Sequence, residues 1–197
     1  VKSKTDNNQL DLFAENTTNE SSGPKFAKYE SIKTNQHEYQ LIENEGELRQ
    51  LCDFFITKEF ISIDTETTST DAISAELVGL SFSAEESKAF YVPVPANYEE
   101  ALKVVQIFKP LYECDKIMKI GQNIKYDYEV LTRYGVTIQG KMFDTMIAHY
   151  LIQPELHHNM DYLAETLLGY QTIHIEELLG PKGKKQKNMR DVSPADI

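Results

Sequence analysis

The sequence is short of cysteine, of basic residues and of long apolar runs, and each shortage excludes a class of protein. Only two cysteines occur, Cys52 and Cys114. They form no CxxC pair and are too few for a disulfide framework, which points to a reducing cytoplasm. No apolar stretch reaches the about 18 residues that a membrane-spanning helix needs. The first residues, VKSKTDNNQLDLF, hold no signal-peptide core. A membrane or secreted protein is therefore not expected. Lysine and arginine number 20 against 31 aspartates and glutamates, a net charge of −11. Such a chain is no basic nucleic-acid coat, yet a local basic strip or bound metal ions can still bring a polyanion to an acidic protein.

What is present is an ordinary globular composition, 197 residues with 41% hydrophobic and 26% charged, enough for one domain with a real core. Residues 1–36 are rich in Lys, Asn, Ser, Thr and Glu and broken by Ser-Ser-Gly-Pro at 21–24. They cannot bury enough surface to offset their chain entropy, so a flexible polar linker is expected there and a folded domain over 37–197. Within that domain Glu38–Glu43 alternates weakly, and Glu45–Thr57 carries a helical apolar stripe at 48, 51, 54 and 55. Strands are expected at Phe60–Glu66, Glu76–Ser83, Lys88–Val94 and Lys116–Ile120. Helices are expected at Tyr98–Phe108, Asn123–Tyr134, Phe143–Leu151 and Tyr162–Leu168, the last capped by Asp161. Three strands followed by alternating helices and strands imply an α/β fold, a mixed central sheet flanked by helices.

Two constellations carry chemistry. Asp64-Thr65-Glu66 ends the first of those strands. Side chains two apart share a face, so both carboxylates point away from the side taken by Ile61 and Ile63. Alone, Asp-x-Glu is a weak signal, equally compatible with a strand end emerging into solvent. Asn123-Ile124-Lys125-Tyr126-Asp127 follows the short fourth strand, with Asn123 and Asp127 four apart on one side of a helix. Asp127 shares its stripe with Ile124 and Leu131, and a carboxylate on a buried stripe is costly unless a charge or metal compensates it. Three carboxylates from a strand end and a facing helix are the hard oxygen ligands that Mg²⁺ or Mn²⁺ prefers. Two such ions roughly 4 Å apart activate a water and stabilise the leaving oxygen of a phosphodiester.

The segments ISIDTETTSTDAISAELVGLSFS, KIGQNIKYDYEVLTRYG, FDTMIAHYLI and MDYLAETLLGY, in that order, resemble the 3′–5′ exonuclease domain of bacterial DNA polymerase I, a DEDD exonuclease. The resemblance runs from about Glu38 to Gly183. It implies a ribonuclease-H-like fold and proofreading hydrolysis of the 3′-terminal phosphodiester of single-stranded or frayed DNA, releasing nucleoside 5′-monophosphates with two divalent ions, Mg²⁺ or Mn²⁺. It implies Asp64, Glu66 and Asp127 as metal ligands and catalytic acids, with Asn123, Thr67 and Thr68 beside the substrate strand. Asp144, in the family-like Phe-Asp-Thr, is read as a helix N-cap or structural acid. The expected setting is a bacterial cytoplasmic, nucleoid-associated enzyme covalently linked to a polymerase domain, acting in DNA replication and repair.

One departure stands out. The family's third motif is Tyr-x-x-x-Asp, and no tyrosine from Tyr29 to Tyr170 is followed by Asp four positions later. The chain is therefore expected to stop just before that motif, and to be weak or inactive as an isolated piece. His157-His158-Asn159-Met160-Asp161 imitates the motif of histidine-bearing relatives, but its His-to-Asp spacing is one short. Lys182–Arg190 holds five bases in nine residues, read as a solvated loop with DNA-phosphate contact as the other reading. Two alternatives belong to other classes. A catalytically silent domain bracing the polymerase is one. The other is a haloacid-dehalogenase-type phosphatase, which needs Asp where Glu66 stands and leaves Asn123 and Asp127 unexplained.

Overall fold

The structure is a computed structural model and describes residues 28–181, 183 and 186–194. Residues 1–27 of the expected linker, and Lys182, Lys184 and Lys185 of the basic run, lie outside the described residues. Glu30–Ser31 forms β1, which pairs in parallel with a late strand described below. Glu38–Leu41 is β2. Helix α1 spans Glu45–Ile56, opened by the Asn44 side chain accepting from Gly46 N at 2.8 Å. Its stripe of Leu48, Leu51, Cys52 and Phe55 is buried. Then come β3 (Phe60–Thr67), β4 (Leu77–Glu85) and β5 (Lys88–Pro93), a strand followed by two antiparallel neighbours.

Helix α2 runs Tyr98–Tyr112, capped by Asn97. It passes the expected end at Phe108 and tolerates Pro110 in its last turn, because Leu111 and Tyr112 beyond it are fully buried and hold that turn in place. The chain continues through β6 (Met118–Gly121), α3 (Ile124–Thr132), β7 (Met142–Asp144) and α4 (Thr145–Ile152). Helix α5 (Met160–Leu163) runs on into a π-helical turn, Ala164–Leu168, that ends at Gly169 with φ 63°. Next come β8 (Tyr170–Gln171), α6 (Ile175–Leu179) and a 3₁₀ turn, Met189–Asp191.

The main sheet has six strands in the order β2-β5-β4-β3-β6-β7, with β1 and β8 forming a separate pair. β3 lies between antiparallel β4 and parallel β6, so the sheet is mixed, as expected. The core lies on the face carrying Ile61 and Ile63, under α1, α2 and α3. Phe82 stands at its centre, with ring centroids 4.8 Å from Phe108, 5.7 Å from Phe55 and 5.9 Å from Tyr112. Truncating such a ring to alanine costs about 3–5 kcal/mol.

Two expectations are corrected. Phe143 does not open a helix. It belongs to β7, because the Asp144 carboxylate accepts from Met146 N and Ile147 N and starts α4 only at Thr145. Asp161 does not cap the next helix. Asn159 does, accepting from Tyr162 N at 2.8 Å, while Asp161 accepts from Thr172 Oγ1 at 2.6 Å and lies 3.0 Å from His174 Nδ1. No helix among the described residues is long and apolar enough to cross a membrane.

Candidate active site

The site grows out of a mismatch in strand length. β6 pairs with β3 only over Phe60–Ser62, then turns away after Gly121 into α3. β3 runs on to Thr67, so its edge beyond Ser62 would present unpaired backbone groups. Asp127, on the first turns of α3, fills that gap. Its Oδ1 accepts from Thr65 N at 2.9 Å and from Thr65 Oγ1 at 2.6 Å, and the residue is only 2% exposed.

Asn123 sets the angle of this helix. It takes the left-handed conformation, φ 59° and ψ 44°, one residue before the first turn, and its side chain makes no cap bond. The free N-terminal amides of α3 are served by Asp144 instead, which accepts from Asn123 N at 3.2 Å and from Ile124 N at 2.9 Å. One carboxylate thus opens both α3 and α4, a structural duty in keeping with its reading as a cap. Asn123 therefore stands outside the helix rather than one turn before Asp127 on a shared helical face.

Asp64 and Glu66 occupy the face of β3 opposite Ile61, Ile63 and Thr65, while Asp127 reaches the strand from its open edge. Across the sheet Asp64 faces Ser81 and Glu66 faces Gly79, with the register slipping immediately afterwards between Glu66 and Thr67. Such a bulge re-aims side chains at a strand end. The three acids act on one another. Burial, then the charge of Glu66, pushes Asp64 up to about 7. Burial, then Asp64, pushes Asp127 up to about 7 against the pull of the two Thr65 bonds. Burial, then Asp127, raises Glu66. Among the described residues no lysine, arginine or histidine forms an ion pair with any of the three.

The donor set is one of hard oxygens, half-buried or buried, with mutual repulsion that a divalent cation would relieve, and in that sense it fits Mg²⁺ or Mn²⁺. The fit has a limit. Among the described residues no group of three His, Cys, Asp or Glu side chains converges closely enough to hold one ion. Asp127 is turned towards Thr65.

Of the three acids Glu66 lines a cleft of about 780 Å³, walled by Glu66, Thr67, Thr68, Asn123 and Tyr126 and, from the later segment of the chain, by Ile175, Leu179, Lys187 and Met189. The structure thus places Thr67, Thr68 and Asn123 in one cleft with Glu66. The threonine hydroxyls are committed within the loop. Thr67 Oγ1 donates to Ser69 O at 2.9 Å and lies 2.5 Å from the Tyr126 hydroxyl, while Thr68 Oγ1 accepts from Glu76 N at 2.9 Å.

Tyr126 and the residues lining the cleft from the later segment are not singled out by the sequence pattern. Its position immediately before Asp127 is the signal that could have placed it at the cleft. Of the basic run, Lys187 lines the cleft, whereas Arg190 is tied down, donating to Val94 O at 3.1 Å and Leu77 O at 2.7 Å. The histidine-bearing imitation is engaged elsewhere, with His158 Nδ1 lying 2.7 Å from His149 Nδ1 and Asn159 capping α5.

Known proteins resemble this chain in sequence and in fold. The 3′–5′ exonuclease family matches residues 39–191. DNA polymerase I of Borreliella burgdorferi is 36% identical over 166 residues, covering 83% of this chain and 18% of that protein. DNA polymerase I of Pseudomonas aeruginosa is 42% identical over 137 residues, covering 65% of this chain and 15% of that protein. The chain thus spans less than a fifth of the length of these curated relatives. Among solved structures, the catalytic core of RRP6 from Trypanosoma brucei superposes with a TM-score of 0.60 at 15% identity, over 83% of this chain and 44% of that one. Escherichia coli RNase D gives 0.57 at 20% identity, over 76% and 39%. At such identities the likeness is one of fold, the mixed sheet flanked by helices of these exonuclease domains.

Proposed function

The chain belongs to the 3′–5′ exonuclease domain family of DNA polymerase I, and on that premise we propose that it removes the 3′-terminal nucleotide from single-stranded or frayed DNA, releasing a nucleoside 5′-monophosphate. The observation that carries this reading is that Asp64 and Glu66 share one face of β3 and Asp127 is held on Thr65 between them, close enough for their charges to raise one another's pKa, with Glu66 lining the cleft.

In this reading Asp64 and Glu66 ligate from the strand and Asp127 from the helix. Two divalent ions held there would polarise the scissile phosphodiester and make water a nucleophile at neutral pH. Everything else falls to the chain. Burial of the carboxylates strengthens their hold on any cation and keeps competing water away. The paired Thr65 bonds stop Asp127 from rotating out of the strand edge. The bulge after Glu66 and the left-handed turn at Asn123 aim the polar wall of the cleft at the terminal nucleotide. Thr67 and Thr68, with their hydroxyls committed, offer that nucleotide a rigid loop, and Lys187, lining the cleft from the later segment of the chain, suits a phosphate. Brucella melitensis NrnC, similar in fold, has been solved with bound Mg²⁺ and bound to pGG, which supports both the metal and a nucleotide substrate.

The DNA polymerase I relatives support a covalently linked polymerase domain; the rest of the reading is a bacterial cytoplasmic and nucleoid setting, an exonuclease domain over 37–197 and a polar linker over 1–36, in whose last part β1 pairs with β8. One observation favours a second reading, a silent domain that braces the polymerase: the three carboxylates do not converge on a point. A digestion time course on 3′-labelled single-stranded DNA with Mn²⁺ separates the two. Shortening by the full-length protein, weak or absent in this chain alone, supports the exonuclease. No shortening by either, with folding verified, supports the brace.

A further inference from the structure

Gly79 lies directly across the sheet from Glu66, and the reason it is glycine is visible. A Cβ added there would meet the Tyr91 hydroxyl oxygen at 2.1 Å and Tyr91 Cζ at 2.3 Å. Real Cβ atoms never approach so closely, so the end of the Tyr91 ring occupies the space a side chain at position 79 would need. Opposed residues on neighbouring strands hold their Cβ positions about 4.5–5.5 Å apart. A hydroxyl on the Cβ position of Gly79 is therefore beside the root of the Glu66 side chain. Tyr91 comes from β5, where it faces Ser81, so it crosses one strand to get there.

That hydroxyl is buried and has no hydrogen-bond partner among the described residues. A buried phenol without a partner costs about 1–3 kcal/mol, and such atoms are uncommon in folded proteins. A second buried donor without a partner among the described residues is carried by Arg190, whose guanidinium is bonded to Leu77 O, two residues from Gly79. Arg190 spends Nη1 on Val94 O and Nη2 on Leu77 O, which leaves its Nε unused. The Tyr91 hydroxyl senses both neighbours: after burial, the charge of Glu66 pushes its pKa up, to about 12, and the charge of Arg190 pulls it down. The phenol at Gly79 thus has a carboxylate residue facing it across the sheet and a guanidinium bonded two residues away on β4.

We propose that Tyr91 is a positioning residue for Glu66: its hydroxyl, seated over Gly79, accepts from Arg190 Nε and donates to the Glu66 carboxylate, holding that carboxylate in its metal-ligating orientation. This rests on the reading of Glu66 as a ligand. With a metal bound, this arrangement would satisfy both lone donors and hold the Glu66 carboxylate in one orientation. Outer groups that orient a ligating carboxylate in this way are typically worth about 10–100-fold in metal affinity. Arg190 acts at the far end of the chain, so the 3₁₀ turn that carries it couples the late segment of the chain to the site.

The test is Mn²⁺ binding to the 197-residue chain, read by the electron paramagnetic resonance of free Mn²⁺, alongside melting of the metal-free protein. Tyr91→Phe keeps the ring packed and removes only the hydroxyl. The expected result is about tenfold weaker Mn²⁺ binding with an unchanged or higher Tm, since no bond of the metal-free fold is lost. In a Glu66→Gln background the same change should have no further effect on binding. Gly79→Ala, which forces the phenol aside, should weaken binding at least as much as Tyr91→Phe. Unchanged affinity in Tyr91→Phe, when Asp64→Ala loses it, overturns this proposal and leaves the exonuclease reading standing. If Asp64→Ala also binds Mn²⁺ as the parent does, the reading of the carboxylates fails and this inference with it. A lowered Tm together with an equal loss in the Glu66→Gln background would make the hydroxyl merely structural, and would overturn the proposal as well.

Discussion

Asp127 accepts two hydrogen bonds from one residue, Thr65, through its backbone amide at 2.9 Å and its hydroxyl at 2.6 Å. This pairing joins α3 to the edge of β3 and orients a carboxylate that the surroundings otherwise push towards protonation. Thr65→Val preserves shape and the backbone bond while deleting the hydroxyl. Hydrogen bonds to charged groups contribute about 1.5–3 kcal/mol. Loss of one should lower stability by about 1–2 kcal/mol and slow 3′ trimming about tenfold, through a less well-held Asp127. Thr65→Ser should restore most of both. Melting curves and single-turnover trimming of the three proteins check this.

The raised pKa values make stability depend on pH in a direction opposite to that of an acid-labile protein. In the unfolded chain an aspartate titrates near about 3.9. In the folded chain Asp64 and Asp127 titrate near about 7. Between those values the native state binds more protons than the unfolded one, so this contribution is fully present below pH ~4 and is lost as pH rises through about 7. The metal-free chain should therefore gain from Asp64→Asn at pH 8 and gain little at pH 4.5. Each kcal/mol gained corresponds to about 2–4 °C in Tm for a domain of this size. Added Mn²⁺ should raise the Tm of the parent at pH 8 and do little for the variant. Differential scanning calorimetry at the two pH values, with and without Mn²⁺, gives the comparison.

Tyr126 holds the loop after β3 by its hydroxyl, which lies 2.5 Å from Thr67 Oγ1 and also donates to Ser69 O. Tyr126→Phe leaves the ring in the cleft and frees that loop. The expected effect is on substrate binding rather than on the chemical step: KM for a single-stranded oligonucleotide should rise about fivefold, roughly 1 kcal/mol, with kcat within about twofold. Steady-state kinetics on the full-length protein would show the split.

The parts of this site that were legible in the sequence share one property, a short-range pattern with a physical period. Asp64 and Glu66 follow from alternation along a strand, and Asp127 from a carboxylate on an apolar helical stripe. What was not legible depends on tertiary placement. β7 has three residues, too few for periodicity to separate it from the helix that follows. The left-handed turn at Asn123 moves it off the helix, although spacing alone puts it one turn before Asp127. The wall formed by Ile175, Leu179 and Met189 comes from chain far from β3 in sequence. The relation between Gly79 and Tyr91 emerges only once two strands are in register. The basic run reads as one feature in sequence, yet Arg190 spends its guanidinium on two backbone carbonyls while Lys187 faces the cleft.

The central claim is that Asp64, at the end of β3, belongs to a metal-dependent site that trims DNA from its 3′ end. It is tested most directly by Asp64→Ala in the full-length protein, assayed for removal of a 3′-terminal nucleotide and, separately, for nucleotide addition to a matched primer. Loss of a ligand that supports several kcal/mol of transition-state stabilisation should slow trimming by more than about 10³-fold and leave addition within about twofold. Trimming that survives the substitution would contradict the assignment of the site.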